Sequence, residues 1–434
     1  MLNKTRTVML LWVRPKIAWF FGAMMAAAAL SMLRVLLVAE ASTGAEFSRY
    51  AVTLSTGYFL GYLLSFGAVE ESYKQFPRLV AQGGFTAILG PTARVFNQLG
   101  ARGGVLVVAS VALWMVTGSN WLVELGLAIM FALVTSYSSA VASVQRALSN
   151  HGRLAGTNLM RSVLAIVFVA PAAYLSDIRW VIAGELVAGA LGFLASCKLA
   201  DLTLQNLNGL RPSLHSATDG ILRGVTANKG LLVSVSAIIT SVPYYLDKMF
   251  VAETFITSVA ASYALLAIFL SAATLLINTI AQRIGAETIK MVLGATSLVP
   301  VLRYVFRWSL WGVGVWWAFM LVVGISFQFK LLPDGLLKYE IPLTYLYPVA
   351  VMGALGVTGL VEFLLLAVDE ERKLFRSALS YFAVVLLFSV LVWHEKLGIL
   401  QFLWLMVVAR AIYLSLLCIS LAPRVNLEVR QKSV

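Results

Sequence analysis

Long apolar stretches are the feature that most constrains what this chain can fold into. They run for about 17 residues or more, which is the length that a helix needs to cross the hydrocarbon core of a bilayer. The strands of a membrane β-barrel would instead alternate apolar and polar residues over roughly ten positions. The composition agrees, since 60% of the 434 residues are hydrophobic and 12% are charged. We therefore predict an all-α integral membrane protein.

The apolar stretches number about twelve, so an even count places both termini on one side of the membrane. This many spans leaves little of the chain for a soluble catalytic domain. Segment 82–98, rich in glycine and containing Pro91, is predicted to be a short interfacial helix between two of the spans. The predicted spans are 17–39, 49–69, 103–119, 121–141, 159–176, 180–199, 229–246, 257–280, 303–327, 342–367, 376–393 and 397–421.

Basic residues are distributed unevenly between the two sets of loops and span ends. One set holds 25 of the 33 Lys and Arg residues, and it includes both termini. Because Lys and Arg in short loops are retained on the cytosolic face, we predict cytosolic termini. The formal charge of +13 is then explained by the basic residues of the cytosolic loops, which also contact anionic lipid headgroups. No nucleic-acid partner is expected. The first apolar segment is interpreted as a span and not as a cleaved signal peptide.

The sequence contains a weak internal repeat at an offset of 213 residues. Val38 to Glu40 matches Val251 to Glu253, and Tyr50 matches Tyr263 without a gap. In each copy the matched residues end one span and begin the next. Six spans per copy is an even number, which predicts parallel repeats related by an axis along the membrane normal. We predict two parallel six-helix lobes, 1–200 and 229–434, joined by a cytosolic linker, 201–228.

Local motifs for catalysis are absent from the sequence. It contains no phosphate-binding loop, no zinc-protease helix and no nucleophile turn of the hydrolase type. Its three histidines lie in separate loops, and its two cysteines, Cys197 and Cys418, cannot form a disulfide framework. We expect no cofactor, no metal and no enzymatic activity. The longest predicted outward loop, about 328–341, is short for a membrane-bound polymerase or ligase.

Charges inside predicted spans are expensive and are hypotheses for functional sites by default. The 213 offset places Arg34 and Asp247 at equivalent positions, which suggests a contact between them when the outer side is shut. The alternative is that Arg34 reaches outer headgroups while Asp247 and Lys248 sit at an interface. Arg410 lies near the middle of the last span, and Glu185 is a candidate partner for it, either in a structural ion pair or near a substrate. Pro243 predicts a kink near the outer end of the seventh span.

The stretch from Tyr245 to Val251, which contains Asp247-Lys248, is followed a dozen residues later by Ala261 to Ala264. This pattern resembles the signature of lipid-linked oligosaccharide flippases, the Wzx-like proteins of the multidrug/oligosaccharidyl-lipid/polysaccharide export superfamily. Arg34 to Tyr50 looks like the family's opening repeat. The sequence departs from the pattern after Asp247, where Ala252 to Thr254 lacks the expected glycine.

The resemblance implies that the protein moves an undecaprenyl-pyrophosphate-linked oligosaccharide across the bacterial inner membrane by alternating access, for lipopolysaccharide or exopolysaccharide biosynthesis. This task needs cations for the pyrophosphate, and Arg34, Lys248 and Arg410 are the residues we predict for it. Asp247 and Glu185 would act in a gate or in ion coupling. Anionic lipids and other polysaccharide assembly proteins are the further partners expected.

Three other functions remain open at this point. A cation-coupled multidrug exporter of the same fold would need a buried acidic residue, for which the first half offers Glu185 and Glu124 away from its loops. A polysaccharide polymerase or ligase is disfavoured by the short outward loops. A non-transporting scaffold of an export complex is the third alternative.

Overall fold

The computed structural model describes residues 15–175, 177–202, 228–294, 297–331, 333–339 and 341–432, and every regular element within them is helical. The first half contains a short helix, α3, beside six long ones. Its helices are α1 (Pro15–Ala41), α2 (Gly44–Ser65), α3 (Ala68–Gly83), α4 (Thr86–Thr117), α5 (Asn120–Ala147), α6 (His151–Ala173) and α7 (Ile178–Leu199).

The second half again provides six spans, two of which are interrupted. One interruption separates α8 from α9, and a 3-10 turn at Leu355–Val357 separates α13 from α14. A short helix, α12, lies in the loop after α11. The helices are α8 (Asn228–Tyr245), α9 (Asp247–Thr254), α10 (Thr257–Gly294), α11 (Val299–Gln328), α12 (Asp334–Leu337), α13 (Leu343–Ala354), α14 (Thr358–Ala367), α15 (Glu371–His394) and α16 (Ile399–Lys432).

The prediction of a twelve-span, all-α membrane protein is confirmed. Among the described residues, ten helices are long and apolar enough to cross a membrane by length and composition. The other two spans are α2 and α8, which are less apolar because serine, threonine and tyrosine interrupt them. Polar side chains are costly in lipid. We therefore expect α2 and α8 to face protein or water.

The same helix pairs pack together in both halves. In the first half α1 packs on α6, α6 on α7 and α2 on α5, and in the second α8 packs on α15, α15 on α16 and α10 on α13 and α14. We call α1–α7 the N-lobe and α8–α16 the C-lobe. The lobes meet where α2 contacts α8, α9 and α10, and where α1 contacts α10. The predicted linker, 201–228, lies almost entirely outside the described residues.

The predicted interfacial helix at 82–98 is wrong. The short helix lies earlier, at Ala68–Gly83, and α4 then runs without interruption from Thr86 to Thr117. The break falls at Gly84, whose φ of 69° and ψ of −155° suit glycine and few other residues. Pro91, the sixth residue of α4, does not end the helix, which continues through it to Thr117.

The kink predicted from Pro243 is confirmed in the seventh span. Pro243 lies inside α8, which ends at Tyr245, and α9 begins at Asp247. The interruption places the Asp247 carboxylate in the first turn of α9, where the helix dipole favours a negative charge.

Gly353 permits a close helix contact in the C-lobe that any side chain would disturb. A Cβ atom at this position would lie 2.3 Å from the indole ring of Trp316, whose Nε1 donates a hydrogen bond to the Ala350 carbonyl oxygen at 2.7 Å. We expect Gly353→Ala to lower the free energy of unfolding by about 1–3 kcal/mol through overpacking. Thermal unfolding in detergent measures the effect. Gly314→Ala, on the exposed face of α11 with open space around it, is the matched control and should not destabilise.

Candidate functional site at the lobe interface

The N-lobe buries an ion pair between its first and last spans. Arg34 Nη1 of α1 lies 2.7 Å from Glu185 Oε2 of α7, and the side chain of Glu185 is only 3% exposed. Tyr50 of α2 donates its hydroxyl to Glu185 Oε1 at 2.6 Å. Tyr58, two turns further along α2, hydrogen-bonds to Arg34. Both carboxylate oxygens of Glu185 are therefore satisfied, as a buried charge requires.

The C-lobe holds a corresponding cluster around Asp247. Lys248 Nζ lies 3.0 Å from Asp247 Oδ1 and also donates to the Tyr244 carbonyl oxygen at 3.1 Å. Tyr263 of α10 donates its hydroxyl to Asp247 Oδ2. Arg410 of α16 is 8% exposed and donates from Nη1 to the Met352 carbonyl oxygen at 3.1 Å.

The two clusters follow the internal repeat in their tyrosine contacts, but their ion pairs are built differently. Tyr50 and Tyr263 are equivalent at the 213 offset, and each donates its hydroxyl to a buried carboxylate of its own lobe. In the N-lobe the first span supplies the cation and the last span supplies the carboxylate. In the C-lobe the first span supplies both Asp247 and its ion-pair partner Lys248, and Arg410 of the last span forms no salt bridge among the described residues. The opposite charges at positions 34 and 247 are therefore each balanced within a lobe and not by one another.

Near the lobe interface, each lobe also provides an arginine without a carboxylate partner among the described residues. Within the described residues, no carboxylate lies within salt-bridge distance of Arg161 of α6 or of Arg410. The stem of Arg161 packs on α7 at Gly192, where a Cβ atom would lie 2.4 Å from Arg161 Cγ. The guanidinium of Arg410 lies over the ring of Tyr244, 4.2 Å from its centroid. A guanidinium held this way retains hydrogen-bond donors for an anionic ligand.

A stack of tyrosines connects the two clusters across the lobe interface. The rings of Tyr58 in the N-lobe and Tyr245 in the C-lobe are stacked with centroids 5.5 Å apart. Tyr58 interacts electrostatically with Arg161, and Tyr245 interacts with Tyr244 and Asp247 on the other side. The unpaired guanidinium groups thus flank an interface built from the two least apolar spans, α2 and α8.

The structure corrects two contacts predicted for the site residues. Glu185 pairs with Arg34 and not with Arg410, because both residues lie in the N-lobe on neighbouring faces of α1 and α7. Arg34 does not pair with Asp247, whose oxygens are already taken by Lys248 and Tyr263. Of the three cations expected to bind substrate, Arg34 and Lys248 have carboxylate partners in this structure. Only Arg410 of those three is left without one in the described part of the chain.

Arg161 lies two residues after the predicted start of the fifth span, residue 159, and so belongs to the 25 Lys and Arg residues predicted to lie on the cytosolic side. The helix begins eight residues earlier, at His151, which places Arg161 in its third turn. The signal that would have placed it correctly is the helix-compatible polar segment from His151 to Asn158, which continues the span without a break. Tyr58 and Tyr244 carried no comparable signal, since tyrosine is common in membrane helices.

The lobes are also joined by ion pairs at the end of the bundle where α3 lies, which we call the α3 end. Lys74 of α3 pairs with Asp369, in the turn after α14, and with Glu371, the first residue of α15. Phe21 of α1 stacks on Trp308 of α11 with ring centroids 5.6 Å apart. Contacts of this kind have to break if the lobes separate at this end.

At the opposite end, which we call the α12 end, the contacts are hydrogen bonds to backbone carbonyl groups. Tyr339 donates its hydroxyl to the Ala39 carbonyl oxygen at 2.7 Å, and Lys338 Nζ donates to that of Ser42 at 2.7 Å. Both acceptors belong to the C-terminal end of α1 and the turn after it, where helix carbonyl groups lack intrahelical partners. The α11–α13 connection of the C-lobe therefore caps a helix of the N-lobe.

Removing the positive charge of Lys74 should favour separation of the lobes at the α3 end. We expect Lys74→Met to weaken the closed arrangement by about 1 kcal/mol, roughly a fivefold change in population. Spin labels at the exposed positions of Arg94 and Arg376, one in each lobe, report the change as a longer distance. Arg153→Met removes the ion pair to Asp201 within the N-lobe and is the matched control. An unchanged distance distribution in Lys74→Met would contradict a gating role for these ion pairs.

No family model and no curated protein matches the sequence. Solved structures do match the fold over nearly the whole chain. A mutant of the Vibrio cholerae MATE transporter VcmN is 14% identical with a TM-score of 0.65, and the alignment covers 95% of both chains. The MATE multidrug transporter DinF-BH is 12% identical with a TM-score of 0.66, covering 95% of this chain and 96% of that one.

A third match is a transporter of the MOP superfamily from Pyrococcus furiosus, described by the reverse polarity of its binding pocket. It is 14% identical with a TM-score of 0.56 and covers 95% of this chain and 96% of its own. At these identities the likeness concerns the fold alone. This chain therefore has the two-lobed, twelve-helix fold seen in these MATE transporter structures.

Proposed function

We propose that this protein moves an anionic lipid-linked oligosaccharide across a membrane by alternating access between its two lobes. The observation that carries the proposal is the pair of arginines, Arg161 and Arg410, one in each lobe, that have no carboxylate partner in the described part of the chain. A pyrophosphate offers oxygens on two phosphorus atoms, and guanidinium groups bind such oxygens in pairs.

The surroundings of the two arginines suit the rest of such a ligand. The helices that meet at the interface, α2 and α8, carry serine, threonine and tyrosine side chains, which can form hydrogen bonds with sugar hydroxyl groups. Stacked tyrosine rings such as Tyr58 and Tyr245 provide flat apolar faces for sugar rings. The resemblance of residues Tyr245 to Ala264 to lipid-linked oligosaccharide flippases supports the same ligand class, an undecaprenyl-pyrophosphate glycan.

The location and orientation follow from the same proposal. We place the protein in the bacterial inner membrane with the basic α3 end and both termini in the cytosol, as the positive-inside rule predicts. Anionic lipids would surround that end, and other polysaccharide assembly proteins are the proposed partners. No ATP-hydrolysis motif is present in the sequence, so the drive would come from an ion gradient or from the substrate gradient.

The experiment that tests the proposal measures the sidedness of lipid-linked oligosaccharide in a deletion strain of the native host. A membrane-impermeant reagent should find the intermediate trapped on the cytosolic leaflet, and wild-type protein should restore its exposure on the outer leaflet. Intermediate that reaches the outer leaflet in the deletion strain would rule out the flippase. Unpolymerised units accumulating there would indicate a polymerase instead.

A cation-coupled multidrug exporter is the second candidate, because the similar DinF-BH structure is that of a multidrug transporter. We expect that overexpression in a drug-sensitive strain will not raise resistance to cationic dyes, because the arginines without carboxylate partners would repel them. Resistance that depends on Glu185 or Asp247 would favour the exporter. Glu124→Gln is the control, since the pair that Glu124 forms with Arg49 is exposed on the arginine side.

A further inference from the structure

A second group of cationic and unpaired polar atoms lies at the α3 end, away from the Arg161 and Arg410 site. Arg146, in the last turn of α5, is only 6% exposed, and in the part of the chain that the structure describes no carboxylate lies within salt-bridge distance of it. Its guanidinium lies over the ring of Tyr73, 3.6 Å from the centroid. It also contacts the C-lobe, because a Cβ atom at Gly285 of α10 would lie 3.6 Å from Arg146 Nη1. A buried guanidinium without a counter-ion is costly unless an anion joins it.

The start of α6 adds further donors beside Arg146. His151, its first residue, interacts electrostatically with Arg146 and Arg283 and has a buried Nδ1 atom without a hydrogen-bond partner among the described residues. The first turn of α6 contains no acidic residue, and Asn150 makes no side-chain cap. Backbone N–H groups at such a helix start lack intrahelical acceptors, and the helix dipole attracts anions to them. Gly152 is exposed with open space around it, which leaves the backbone accessible.

Residues of the C-lobe also lie close to His151. Arg283 of α10 lies close to His151 and forms an ion pair with Glu287 at 2.7 Å. Tyr304 of α11 also donates its hydroxyl to Glu287. With Arg146 and Arg283 against the single carboxylate of Glu287, these three residues carry one excess positive charge. The His151 ring is held in place by an edge-on contact with Phe20, with centroids 5.6 Å apart.

We propose that Arg146, His151 and the N-terminus of α6 form a phosphate-binding site where the two lobes meet at the α3 end. The ligand class is a phosphate or pyrophosphate group. It would lie on the backbone N–H groups of the first turn of α6, with Arg146 and the N–H of the His151 Nδ1 tautomer as side-chain donors. Two sources share this chemistry, the pyrophosphate of a lipid-linked ligand and the phosphate of an anionic lipid headgroup. Only the first source depends on the function proposed above.

Calorimetric titration with inorganic pyrophosphate tests the site in the full-length protein. We use the Arg161→Gln/Arg410→Gln background, so that binding at the central site does not contribute. In this background we expect one pyrophosphate to bind, and we expect Arg146→Gln to raise the dissociation constant at least tenfold. His151→Phe keeps the ring contact with Phe20 and removes the donor, so it should weaken binding about fivefold. Arg94→Gln, which removes an exposed arginine of α4 outside the proposed site, is the control and should leave affinity unchanged.

Absence of binding in this background, or affinity unaffected by Arg146→Gln, would overturn the site. Both results are independent of the flippase proposal, which concerns Arg161 and Arg410. Unfolding temperatures of the variants separate lost binding from lost folding, and Arg146→Lys, which keeps the charge, should retain partial affinity. Nanodiscs of phosphatidylglycerol and of phosphatidylcholine then distinguish the sources. Competition by phosphatidylglycerol identifies a headgroup site, and binding that is equal in both lipids identifies a site for the ligand's pyrophosphate.

Discussion

Glu185→Gln should destabilise the protein by about 3 kcal/mol, because it leaves the guanidinium of Arg34 buried without a counter-ion. Glutamine is close to glutamate in size and keeps an acceptor for the Tyr50 hydroxyl, so the lost charge is the main change. Thermal or denaturant unfolding in a fixed detergent measures the effect. A double variant, Arg34→Leu/Glu185→Leu, removes both charges and should recover most of the lost stability, since no unpaired charge remains.

The matched control for this prediction is Glu124→Gln. Glu124 also pairs with an arginine of the N-lobe, but the side chain of that partner, Arg49, is 55% exposed. Exposed ion pairs contribute little, so this variant should change stability by less than about 1 kcal/mol. If Glu185→Gln were as stable as Glu124→Gln, the buried pair would be open to water and the arrangement described for the N-lobe would be wrong.

Arg161→Gln and Arg410→Gln, unlike Glu185→Gln, should impair transport and leave the free energy of unfolding nearly unchanged. Each guanidinium is expected to contribute a charge-assisted contact of about 1.5–3 kcal/mol to a bound pyrophosphate, so each single variant should weaken binding about 10-fold to 100-fold. The double variant should fail to expose lipid-linked oligosaccharide on the outer leaflet. Because neither arginine has a carboxylate partner among the described residues, removing its charge leaves no carboxylate unpaired.

Two kinds of control accompany these variants: one keeps the charge at the same position, and the other removes an arginine elsewhere. Arg161→Lys and Arg410→Lys keep the charge but not the planar donors, and partial activity is expected from them. Arg303→Gln removes an exposed arginine of α11 and should leave transport unchanged. Full transport by the double glutamine variant at normal protein level would exclude these arginines as the binding residues.

Most of the fold was predictable from the sequence because the bilayer imposes strict rules on it. Long apolar runs mark the spans, and backbone groups in lipid must be satisfied within helices. The break near Pro243 was predictable for the same local reason, the missing N–H group of proline. Helix ends outside the membrane were harder, as α4 and α6 show. Both helices extend well beyond their apolar cores, because polar residues at the membrane surface can continue a helix without any hydropathy signal.

The candidate site was predictable only in part. Arg34, Glu185, Asp247, Lys248 and Arg410 were identified as informative because charge in a span is expensive. Their pairing was not predictable, since it depends on which helix faces neighbour each other. The sequence offset aligned Arg34 with Asp247, yet each is balanced within its own lobe.

The sequence by itself determined that this protein is a helical membrane protein with two repeated halves, because hydropathy and chain length act along the chain. Only the tertiary structure decided which cations are neutralised and which remain available to a ligand. Coulomb interactions fall with distance in space and not along the sequence. Arg34 and Glu185, 151 residues apart, therefore form an ion pair. Arg161 and Arg410 acquire their proposed role because no carboxylate of the described structure lies within salt-bridge distance of them.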